Sequence, residues 1–170
     1  MEICIKMKDI KKNVMKKYIY LGAISTLLLT GACESDLEKV HYKESLSQSA
    51  ELAPLQASYV LDAQKSSDPA IRFTWTRPKV NYPASVTTDL QMDLGIHAFA
   101  NPVILASTKT DSIYTVSVGD LNQAMLKLIS NNGQEVTATK VIFRLVSTLS
   151  ADVSSLVSNV VSTTVTPYEE

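Results

Sequence analysis

Ile71-Arg72-Phe73-Thr74-Trp75-Thr76 alternates without a break, with Ile71, Phe73 and Trp75 on one side and Arg72, Thr74 and Thr76 on the other. Successive side chains of a strand point to opposite faces, so a period of two reads as a half-buried strand with its polar face toward water. Asp68-Pro69 marks a turn before it, and Pro78 and Tyr82-Pro83 bracket a loop after it. A strand of this kind needs a second apolar layer to cover its inner face, and the flanking sequence supplies one.

Downstream, residues 87–94 alternate again, with Leu90, Met92 and Leu94 inward and Asp89, Gln91 and Asp93 outward and solvated. Residues 95–101 form a turn-like segment. Pro102-Val103-Ile104-Leu105-Ala106 follows, and its leading proline favours an edge strand. Residues 112–118 place Tyr114, Val116 and Val118 inward. Two final strands are expected at 140–148 and 156–166, the second with Val161, Thr163 and Val165 on one face. Upstream, residues 57–61 read as a short first strand. Between Gly119 and Gly133 the period changes. Leu121, Ala124, Met125 and Leu128 fall on one helical face, with Asp120 as the cap, Gln123 as its capping-box partner, and Asn131-Asn132-Gly133 as the stop. About seven turn-separated strands with one short helix inserted near 120–130 make an all-β, two-sheet sandwich.

The start of the chain has a different character. Residues 1–17 carry six lysines and three methionines, and Met15 opens a compact positive segment, which reads as the true initiator. The apolar run 18–29 is about a dozen residues, short of the roughly 20 that a spanning helix needs. Positive flank, short apolar centre and small-residue junction make residues 1–32 a secretory signal peptide. Leu29-Thr30-Gly31-Ala32-Cys33 resembles a bacterial lipobox, although Thr30 stands where leucine is usual. Cys33 is then the lipidated first residue of the mature chain, since its thiol is the nucleophile that accepts a diacylglycerol group. Two or more acyl chains anchor a protein stably. Glu34-Ser35-Asp36 resembles the acidic export tag of surface-exposed lipoproteins, and residues 33–52 read as the lipidated cysteine and a flexible tether.

From Glu34 onward there are ten basic and fifteen acidic residues, a net charge of −5. A nucleic-acid partner needs a basic face, and the composition excludes one. Cys4 lies in the leader and Cys33 is the acylation site, so no internal disulfide is available and the domain at 53–170 must be held by its core.

The order of the pieces resembles one family. Phe73-Thr74-Trp75, Asn81-Tyr82-Pro83-Ala84, Asp89-Leu90-Gln91-Met92-Asp93, Phe99-Ala100-Asn101-Pro102-Val103, Val118-Gly119-Asp120-Leu121-Asn122, Phe143-Arg144-Leu145-Val146 and Ser158-Asn159-Val160-Val161 to Thr166-Pro167-Tyr168 together resemble the amino-terminal domain of the SusE family of outer-membrane lipoproteins. The resemblance runs from about Ala53 to Tyr168. It implies an immunoglobulin-like, fibronectin-III-like sandwich at the cell surface of the outer membrane. It also implies a non-catalytic accessory role in starch or polysaccharide utilisation, beside a TonB-dependent transporter and a companion glycan-binding lipoprotein, with a starch-like glycan as ligand. Family members usually continue into further domains that hold the starch-binding sites, so a chain ending at Glu170 reads as the membrane-proximal module, either a short member or a fragment.

Non-catalytic glycan binding uses an exposed aromatic platform with a few converging polar groups. Of the nine aromatics after Cys33, the alternation sends Phe73, Trp75, Tyr114 and Phe143 inward, leaving Tyr82 and Phe99, both in loops, as the candidate glycan contacts. No enzyme is expected. Asp89 and Asp93 are about 13 Å apart along a strand, whereas glycosidase carboxylates stand about 5 to 9.5 Å apart. His41 and His97 have no neighbouring ligands, so neither a metal nor any other cofactor is expected. A structural or adhesive protein that docks other proteins through the edge strand at 102–106 remains the alternative from a different class.

Overall fold

The computed structural model describes residues 46–81 and 83–169. The segment read as a signal peptide, Cys33, most of the stretch read as tether and Tyr82 lie outside them. Among the described residues nine strands and one α-helix follow one another: β1 (Glu51–Leu52), β2 (Ser58–Val60), β3 (Pro69–Thr76), β4 (Thr87–Leu94), β5 (Val103–Thr108), β6 (Ile113–Ser117), α1 (Val118–Asn131), β7 (Thr139–Thr148), β8 (Leu156–Val157) and β9 (Val161–Thr166). A 3-10 turn at Ala63–Lys65 joins β2 to β3.

Two sheets result. The smaller has the order β1-β3-β6 and the larger β2-β9-β7-β4-β5, with β8 added to β7. All pairings are antiparallel except β2 on β9. The chain crosses between sheets after β1, β2, β3, β5 and β6. This arrangement is an all-β, immunoglobulin-like sandwich.

The inner faces are those the alternation marks. Ile71, Phe73, Leu90, Met92, Leu94, Val141, Phe143 and Leu145 are all at most 1 % exposed, and Trp75 is buried beside them. At about 25 cal/mol per Å² of apolar surface, burial on this scale is the dominant favourable term in folding. In antibody domains a disulfide joins the two sheets between the strands equivalent to β3 and β7. Here the described residues contain no cysteine, and Phe73 of β3 meets Phe143 of β7 with ring centroids 5.0 Å apart.

Several details differ from the sequence reading. β1 lies inside the stretch read as tether: Ala50 and Leu52 belong to the core, and Gln48 already pairs with Lys79. A two-residue strand is weak by itself. The Asn159 side chain reinforces it, accepting the Leu52 N–H at 2.7 Å and donating to the Leu52 carbonyl at 2.9 Å. The same contact explains why the final strand is two strands. Ser158 turns inward, its Oγ accepting the Leu145 N–H at 2.8 Å, and the break at 158–160 lets Asn159 reach the other sheet.

The helix also starts earlier than expected. Ser117 is the cap: its Oγ accepts the Asp120 N–H at 3.1 Å and donates to the Asp120 carboxylate at 2.7 Å. The N-cap is therefore Ser117, tied to Asp120, and not Asp120 with Gln123 as its capping-box partner; Val118 belongs to the helix, not the strand. Gly119 sits where α1 docks on the turn between β2 and β3: its N–H donates to the Ser66 carbonyl at 2.8 Å, and a Cβ would stand a tight 3.1 Å from that oxygen. Leu121, Met125 and Leu128 enter the core as one stripe. Buried Asn122 clips the chain end, accepting the Tyr168 N–H and donating to its carbonyl.

Candidate functional site

The larger sheet ends in β5 and the smaller in β6, so the sandwich is open along the side where these two edges face each other. The helix follows β6 directly and lies along that opening. Between β5, β6 and α1 is a groove of about 650 Å³, within the size range of ligand sites. Val103, Ile104 and Leu105 form one wall, and Tyr114 and Val116 form the floor. Asp120, Gln123 and Lys127 form the opposite wall. The helical period places these three on one exposed face, while 121, 125 and 128 point into the core.

Alternation sends Tyr114 inward, yet it is only half-buried because no strand covers the far edge of β6. Its phenol is held above the ordinary tyrosine range, first by burial and then by the negative charge of Asp120, so the hydroxyl stays protonated and able to donate. The groove thus offers an aromatic face, a carboxylate, an amide and an ammonium around one space. Such a set can stack on a sugar ring and hydrogen-bond its hydroxyls.

The second place of interest is the β4–β5 loop, 95–102. Ala98 (φ 49°) and Phe99 (φ 66°) both occupy the left-handed region, at a cost of roughly 1–2 kcal/mol each for non-glycine residues. The turn carries the loop back over the outer face of the larger sheet. Phe99 lies against Arg144, whose guanidinium carbon is 4.2 Å from the ring centroid and whose Nε donates to Gln91 Oε1 at 2.9 Å. A guanidinium on an aromatic face is a favourable cation–π contact. One face of Phe99, a sequence-level candidate for glycan contact, is therefore occupied by Arg144.

The expectation for Asp93 is also overturned. That residue is 1 % exposed, not solvated. Its Oδ1 accepts the Leu94 N–H at 2.7 Å, whereas its Oδ2 and His97 Nε2 are buried without a hydrogen-bond partner among the described residues. Asp89 remains at the surface, accepting from the Ser107 hydroxyl at 2.6 Å. The two carboxylates are thus in different environments and share no reaction space. Among the described residues no group of three His, Cys, Asp or Glu side chains could hold a metal ion.

A sandwich without cysteines in its described part, open along one edge beside a polar, aromatic-floored groove, defines an immunoglobulin-like β-sandwich module. The chain belongs to the SusE family: the model for the SusE outer membrane protein matches residues 35–145, from just after Cys33 into β7. It is an outer-membrane protein of the family associated with starch utilisation. Neither the curated proteins nor the solved structures contain a match to this chain.

Proposed function

We propose that this protein is a non-catalytic accessory lipoprotein of a polysaccharide-utilisation system. Residues 1–32 are its signal peptide, with Met15 as the initiator. Diacylglycerol on Cys33 moors it to the outer membrane, facing the cell surface. The sandwich acts beside a TonB-dependent transporter and a companion glycan-binding lipoprotein, as a spacer that also captures a starch-like glycan chain. The observation that carries this reading is the SusE match over most of the folded module. The groove between β5, β6 and α1 supplies a surface for the capture role, with Tyr114 as stacking platform and Asp120 and Gln123 as hydroxyl partners.

Affinity purification of the tagged, acylated protein from native outer membranes tests it. Transporter co-purification and retention on an immobilised α-glucan are expected. The loss of both would contradict the reading.

A second reading is favoured by the edge of the larger sheet. β5 has a partner on one side only, and Ile104 on it is 54 % exposed. Such an edge accepts a strand from another protein. Substituting Tyr114, Tyr82 and Phe99 with alanine separates the two: glycan capture is lost under the first reading, while a purely docking protein keeps its partners and shows no sugar retention to lose.

A further inference from the structure

Three of the ten basic residues that follow Cys33 converge on one pocket of about 530 Å³, although the chain from Glu34 onward is net acidic. Arg77 and Lys79 come from the segment after β3, and Lys109 from the β5–β6 turn. All three are exposed. The single carboxylate in the lining, Asp111, is held by its own turn, accepting from the Thr108 hydroxyl at 3.1 Å and the Thr110 hydroxyl at 3.5 Å. None of the cations is within ion-pair distance of it, and the ion pair found among the described residues, Lys65 with Asp62, lies at the opposite end of β3. Glu51 and Asp152 are at the same end as the pocket but do not line it.

This end is also where the chain enters the fold. The Gln48 N–H donates to the Lys79 carbonyl at 2.8 Å, and the Lys79 N–H donates back to Gln48 at 2.9 Å. Fourteen residues lie between Cys33 and Gln48. Such a segment spans about 50 Å when fully extended and roughly 20 Å as a flexible coil. The far end of the sandwich is one eight-residue strand further away, about 27 Å. The entry end is thus the part of the sandwich held nearest the anchor, and the one that most readily comes within the screening length of about 8 Å at which charge at the membrane surface is felt.

We infer that Arg77, Lys79 and Lys109 form a contact for anionic lipid headgroups, so that the sandwich rests with its entry end on the membrane. The resting orientation rests on Cys33 being the anchor, the headgroup contact itself is tested apart from it below, and both go beyond the glycan-capture reading. Phosphate is the chemistry these cations recognise. Each basic residue near an anionic surface strengthens binding by about fivefold, so the three together give roughly 100-fold.

The test uses the full acylated protein, reconstituted in vesicles of phosphatidylcholine alone or of phosphatidylcholine with phosphatidylglycerol. Lysine acetylation is then followed residue by residue by mass spectrometry. Lys79 and Lys109 are expected to react about fivefold more slowly in the anionic vesicles, with the effect removed by high salt. Lys65 and Lys140, at the opposite end, serve as internal controls and keep their rates. Equal rates in both vesicle types, or equal slowing of all four lysines, would overturn the inference. So would protection of Lys79 and Lys109 by soluble polygalacturonate but not by vesicles, which would make the pocket a site for acidic glycan.

Should the protein prove unacylated, the anchor reading fails separately. Co-sedimentation of the full chain with phosphatidylglycerol vesicles but not with phosphatidylcholine vesicles would still support the contact, and its absence would refute it. The variant Arg77→Gln, Lys79→Gln, Lys109→Gln should lose that co-sedimentation while keeping the wild-type melting curve.

Discussion

Phe73 and Phe143 meet across the interior of the sandwich, ring centroids 5.0 Å apart and planes inclined at 56°. Both are 0 % exposed, and they come from β3 in one sheet and β7 in the other. An exported domain of this size without a disulfide depends on such a contact. The tilted geometry suits the ring quadrupoles and adds about 0.5–1.5 kcal/mol to the area term. Phe73→Ala or Phe143→Ala is therefore expected to destabilise by about 3–5 kcal/mol, read from the midpoint of urea unfolding. A loss below about 1 kcal/mol would show that the sheets are held elsewhere.

Thr88 and Ser147 stand directly opposite each other on β4 and β7, with their buried hydroxyls 3.0 Å apart. Removing one partner leaves the other desolvated and unpaired, whereas removing both does not. Thr88→Val is expected to cost about 1–3 kcal/mol, and adding Ser147→Ala should recover a good part of that loss. Double-mutant analysis by thermal unfolding checks the sign of the coupling.

Tyr114 in the groove gives a pH signature. Burial and then Asp120 raise its folded-state pKa above the 10.0 of a free tyrosine. The neutral phenol is favoured in the fold, so this contribution to stability is complete below the unfolded pKa. It is lost as pH rises from there through the folded value. Absorbance titration of the phenolate should show Tyr114 ionising later than free tyrosine. Asp120→Asn should bring it part of the way back and lessen the alkaline loss of stability. An unchanged titration in that variant would mean that Asp120 does not face the phenol.

The lipid proposed on Cys33 would have a direct mass signature. Protein extracted from outer membranes is expected to begin at Cys33 and to carry diacylglycerol. Cys33→Ser should remove the lipid and with it stable retention on vesicles. An unmodified chain, or one beginning at any other residue, would contradict the anchor.

Much of the fold is legible in the sequence because a period of two states which side chains share a face. Ile71, Phe73 and Trp75 are buried as that pattern requires, and the stripe of Leu121, Met125 and Leu128 is buried as a period of 3.6 requires. Alternation is silent on what covers the opposite face or the edge. Asp93 sits on the outer face and is nevertheless 1 % exposed, just ahead of a loop that Ala98 and Phe99 turn through left-handed backbone. Tyr114 sits on the inner face and is reachable only because β6 is an edge strand. The groove is a product of sheet order, which no single stretch encodes. Ser117 preceding Val118-Gly119-Asp120 was a readable capping signal that would have moved the helix start and freed Gln123 for the groove wall. Asn159 gave no local signal, since its partner Leu52 lies 107 residues away.

The capture role depends on Tyr114, and titration calorimetry of the full-length protein with maltoheptaose tests it most directly. The account predicts saturable binding by wild type and by Phe99→Ala, and a loss of about tenfold or more in Tyr114→Ala, the scale of one base-like stacking contact. Binding that is absent from wild type, or that survives Tyr114→Ala undiminished, would contradict it.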